Sequence, residues 1–68
     1  MDGDKLLKMD PYMLLSIINM KLRDNFDSLE VLCEDFDLEK QEIIKKLKEV
    51  GYKYKEDRNQ FVAADEEE

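Results

Sequence analysis

Apolar residues recur at helical spacing along most of this chain and switch to strict alternation only near its end. The first clear start signal is Asp10-Pro11, an N-cap carboxylate followed by a proline at a position where the missing N–H costs nothing. A helix is predicted over residues 11 to about 23. At about 100° per residue, Met20, Met13, Ile17, Leu14, Ile18, Leu22 and Leu15 spread over roughly 220°, broken only by Lys21. That arc is wider than an ordinary surface helix shows. Two explanations stand: the segment is the central helix, covered on more than one side, or its Met13, Ile17 and Met20 edge is exposed and self-associates. Tyr12, Ser16, Asn19 and Arg23 form the remaining narrow polar ridge.

A second, short helix is predicted after Asp24-Asn25, with Asp27 as its cap, Glu30 reaching back from N3, and Phe26 packing on Val31 as a staple. Leu29, Leu32, Cys33 and Phe36 give it one apolar stripe. Asp37 offers a third cap, and residues 38 to 50 carry Ile43, Ile44, Leu47 and Val50 at helical spacing. Gly51 is the stop, in the left-handed conformation, with Tyr52 set to touch Leu47. Tyr52, Lys53, Tyr54 and Lys55 then alternate, Glu56-Asp57-Arg58-Asn59 is turn material, and Gln60-Phe61-Val62 can return antiparallel. A four-residue loop sets Tyr54 opposite Phe61 and Tyr52 opposite Ala63, a pairing that must lean on the third helix because an isolated hairpin is marginal. The expectation is an all-α fold: a small three-helix domain, helix-turn-helix-like, with a short C-terminal β-hairpin or extended segment. Residues 1–9 form a partly flexible N-terminal segment, 10–62 the single domain, and 63–68 an acidic disordered tail.

Composition narrows what such a domain does. Sixty-eight residues leave room for one small core. With 11 basic and 18 acidic side chains the net charge is −7, which repels DNA and anionic membrane surfaces at long range. There is no His and one Cys, so a Ser-His-Asp or Cys-His pair, a His-bearing metal site and an intrachain disulfide are all excluded. Cys33 is expected to be a reduced, half-buried apolar residue, since Glu34 and Asp35 oppose thiolate formation. Residues 1–10 lack the continuous apolar stretch of a secretory signal, and no uncharged run is long enough to span a bilayer. A cytoplasmic location is expected.

The segments Asp10-Pro11-Tyr12-Met13-Leu14-Leu15-Ser16, Asn19, Lys21-Leu22-Arg23-Asp24, Leu29, Leu32-Cys33, Gly51-Tyr52-Lys53-Tyr54 and Arg58-Asn59-Gln60-Phe61 resemble one family. It is the small bacterial family catalogued as domain of unknown function 4250. The resemblance runs from about Asp10 to Val62 and leaves the acidic tail outside. It implies a stand-alone bacterial cytoplasmic protein and supplies no catalytic residues.

The residues themselves point to non-catalytic binding, most directly protein–protein interaction through the first predicted helix, alone or as a homodimer. The candidate contacts are Met13, Ile17 and Met20 on the apolar edge and Tyr12, Ser16, Asn19 and Arg23 on the ridge. Asn19 and Arg23 have a structural reading too, as hydrogen-bond partners that fasten the Arg58-Asn59-Gln60 turn. The alternative is a helix-turn-helix-like nucleic-acid-binding regulator that presents Lys40, Lys45, Lys46 and Lys48. Residues 38–55 hold six Lys against three Glu, although Glu39 and Glu42 sit where a recognition helix meets phosphates. Glu34, Asp35, Asp37 and Glu39 lack the glycine and spacing of a calcium loop. No enzymatic activity, cofactor, metal or membrane partner is expected.

Overall fold

The computed structural model describes residues 3–64. Four helices lead into a two-stranded antiparallel sheet: α1 (Gly3–Lys8), α2 (Pro11–Asp24), α3 (Leu29–Phe36), α4 (Lys40–Lys48), β1 (Tyr52–Lys55) and β2 (Gln60–Ala63). The all-α, three-helix, helix-turn-helix-like architecture expected from the sequence is thereby corrected to a mixed one, with a fourth helix and a paired sheet. The added helix, α1, has only Leu6-Leu7 as its apolar content, too little to show a period, yet Leu6 is fully buried in the core. The helix-turn-helix-like reading, with a two-residue turn at Phe36-Asp37 between the second and third predicted helices, also differs from the structure. Phe36 is the last residue of α3, and the link to α4 is Asp37-Leu38-Glu39.

Asp37 does not cap the following helix, as the sequence suggested, but ends the preceding one. Its φ of 57° is left-handed, and Leu38 N–H reaches back to Cys33 C=O at 2.8 Å, the long bond of a Schellman turn. Half-buried Leu38 then packs on the core. At the start of α3 the cap is Ser28, whose Oγ accepts from Val31 N–H at 3.2 Å, rather than Asp27. The expected staple is absent because Val31 faces outward, 47% exposed. Phe26 turns instead to Phe36, edge to face, with ring centroids 5.7 Å apart.

One core joins all the elements. Leu14, Ile18 and Leu22 of α2 meet Leu6, the α3 stripe Leu29, Leu32, Cys33 and Phe36, Ile43 and Leu47 of α4, and Phe61 of β2. Gly51, at φ 82°, turns the chain out of α4 where the sequence placed the stop. The hairpin register is also as expected, with Tyr54 opposite Phe61 and Tyr52 opposite Ala63. Ala64 N–H closes the ladder on Gly51 C=O at 2.7 Å. Of the tail placed at 63–68, Ala63 ends β2 and Ala64 follows it; residues 65–68, like residues 1–2, lie outside the described residues.

Candidate functional site

The candidate surface begins with the way α2 is set. Asp10 Oδ2 accepts from Tyr12 N–H at 3.0 Å and Met13 N–H at 3.3 Å, and Pro11 opens the first turn, so the helix start is fixed. Leu14, Ile18 and Leu22 face inward and fix its rotation. The predicted arc of roughly 220° is divided by this rotation: Leu15 and Ile17 are half-buried, whereas Met13 is 58% and Met20 45% exposed. The helix is the hub of the core, and it also leaves an apolar edge in solvent. Tyr12, 58% exposed, and exposed Ser16 continue that edge.

The polar ridge splits into two uses. Asn19 is committed to the sheet: its Nδ2 donates to Phe61 C=O at 3.0 Å and its Oδ1 accepts from Phe61 N–H at 2.8 Å, as a neighbouring strand would. Gln60 Nε2 donates to Asn19 C=O at 2.9 Å. Arg23 makes no such bond. Its guanidinium grips Asp24 at 2.9 and 3.1 Å on the surface, and this bond holds the Asp24 carboxyl below the usual carboxylate range.

Asn59 completes the fastening, a role the sequence assigned to the turn without singling it out. It stands in the left-handed region at φ 53°, and its Nδ2 donates to Leu22 C=O at 3.1 Å and Phe26 C=O at 2.9 Å. Its Oδ1 accepts from Tyr54 Oη at 2.6 Å, which in turn accepts from Leu29 N–H at 3.3 Å. The hairpin thus satisfies the Leu22 carbonyl in the last turn of α2, the Phe26 carbonyl in the link that follows, and the first N–H of α3. A groove of about 590 Å³ runs beside this junction, with Arg23, Arg58, Asp24 and Asp27 balancing one another along its walls.

The four candidate lysines do not share a site. Lys40 pairs with Glu30 and borders a groove against β1, while Lys45 and Lys46 line another beside Leu7, Glu42 and Glu49. Lys48 is exposed at the end of α4. The hydrogen bond from Lys40 lowers the pKa of Glu30, and that bond also raises that of Lys40. Burial pushes the Cys33 thiol up, which suits an inert core residue. Among the described residues there is no cluster of potential metal ligands and no helix long and apolar enough to cross a membrane.

Neither a curated protein nor a solved structure matches the chain. One family model does, over residues 8–61, from the end of α1 to the middle of β2. By that match, which takes in most of the fold just described, the chain belongs to the family described as domain of unknown function DUF4250.

Proposed function

We propose that this protein is a non-catalytic, cytoplasmic binding module that docks a protein partner, a second copy included, on the exposed edge of α2. The observation that carries the reading is the placement of Tyr12, Met13 and Met20, each 45–58% exposed, on one helix whose opposite side is fully buried. Single exposed apolar residues are ordinary, but a run of them on one element marks a contact surface. Methionine suits such a role because its unbranched chain adapts to the opposing shape. A domain this small also gains stability from any partner that binds only its folded form.

The four lysines support no second reading, since they do not share one surface and Lys45 and Lys46 stand beside Glu42 and Glu49. The test is a double substitution, Met13→Asp with Met20→Asp, at positions where the fold loses little buried surface. Light scattering should show a mass above the 8.1 kDa of one chain for the wild type, or co-purification from the native cell should retain a protein that the variant loses. A monomer whose co-purifying proteins are unchanged by the double substitution disposes of the reading.

A further inference from the structure

The two edges of the sheet are treated differently. In an antiparallel pair, opposed residues alternate between exchanging hydrogen bonds and turning their N–H and C=O outward. The bond from Ala64 N–H to Gly51 C=O, with the register, makes Lys53–Val62 and Lys55–Gln60 the exchanging pairs. Tyr54 and Phe61 therefore point their backbone groups away from each other. On the β2 side, Asn19 captures those of Phe61. On the β1 side, those of Tyr54 face a groove of about 500 Å³ lined by Lys40, Ile44, Lys53, Tyr54, Lys55 and Glu56. Three consecutive strand residues line it although alternate side chains leave opposite faces of a sheet, so the groove follows the strand's edge.

We propose that this edge takes up an extended acidic peptide of a protein partner as a third strand, held by backbone bonds to Tyr54 and by the lysines alongside. Charge selects the occupant: the lining carries three Lys against one Glu in a chain of net charge −7. All three lysines already have interactions in the free protein, Lys40 with Glu30 and Lys55 with Asp57 among them, but exposed pairs of this kind are weak, so an incoming carboxylate competes with them on near-equal terms. Ile44 gives the groove an apolar floor, so a peptide that alternates acidic and apolar residues fits both requirements. Lysines on an edge also turn away strands without negative charge, which protects the free protein from pairing with itself. This surface is separate from the α2 edge, and each reading stands or falls alone.

The probe is the blocked peptide acetyl-Glu-Val-Glu-Val-Glu-amide, titrated into the full chain and followed by amide NMR. Saturable shifts should be confined to residues 52–56 and the facing turn of α4, with exchange of the Tyr54 amide slowed by about tenfold or more. The same peptide N-methylated at both valines, and a Lys-Val-Lys-Val-Lys analogue, should give no such shifts. Lys53→Glu with Lys55→Glu should weaken binding by about tenfold, as should raised salt in part. Absence of saturable shifts overturns the proposal. Equal binding of the N-methylated peptide overturns it as well, because charge alone would then suffice; shifts centred on Met13 and Met20 would assign the peptide to the α2 edge instead.

Discussion

Two residues with the same unusual backbone give opposite expectations. Asp37 and Asn59 both have positive φ, at 57° and 53°, a conformation that costs an ordinary L-residue about 1–2 kcal/mol. The Asp37 side chain is exposed, so Asp37→Gly should leave stability within about 1 kcal/mol of the wild type or raise it. Asn59→Gly keeps the backbone equally comfortable but removes the bonds to Leu22, Phe26 and Tyr54, and should cost about 2–4 kcal/mol in urea unfolding. Equal behaviour of the two glycine variants would show that backbone shape, not the amide, holds the turn. The sequence made this contrast hard to read. Asp37 has the chemistry of a helix start, and only its position relative to Phe36 and Leu38 shows that it serves a helix end. Asn19 was legible as a fastening residue because a lone amide among apolar neighbours must be bonded, whereas Arg23, equally placed on the ridge, had a nearer partner in Asp24.

Among the elements, periodicity identified those with several apolar turns and missed the one with a single pair. The long α2, the α3 stripe and the register of β1 with β2 all follow from spacing. Helix α1 does not, because Leu6-Leu7 alone cannot establish a period and their value comes from the α4 surface they meet. Leu6 is nonetheless fully buried, and Leu6→Ala should cost about 2–5 kcal/mol, as for a central core leucine. A loss under about 1 kcal/mol in the same unfolding measurement would show that α1 is dispensable to the fold. The reach of α4 was overestimated at both ends: Leu38 belongs to the link before it, and Val50 to the turn into Gly51. Apolar spacing persists into the link because Leu38 also packs on the core, so the pattern alone does not mark where helical bonding stops.

Across the whole molecule, charge and pairing act in opposite directions as pH falls. At neutral pH the net charge of −7 opposes compactness, and titration toward the isoelectric point near 4.5 relieves it. Glu30, held down by its bond from Lys40, and Asp24, held down by Arg23, have folded pKa values below their ordinary ones. Each contributes stability that is present above its ordinary pKa and is lost as pH drops through the lowered value. Urea midpoints should therefore hold or rise from pH 7 toward about 4.5 and decline below about 4. Glu30→Gln should flatten the acid decline, and salt should flatten both limbs; an acid limb unchanged in Glu30→Gln would remove Glu30 from the account.

The double grip of Asn59 on Leu22 and Phe26 also sets a rule of length for the hairpin tip. Glu56, Asp57 and Arg58 are exposed and can change in kind, yet one inserted residue after Arg58 would either displace Asn59 from both carbonyls or reverse the alternation of β2 and turn Phe61 outward. The tip is open to new side chains and closed to new spacing, so any property grafted there has to arrive by replacement.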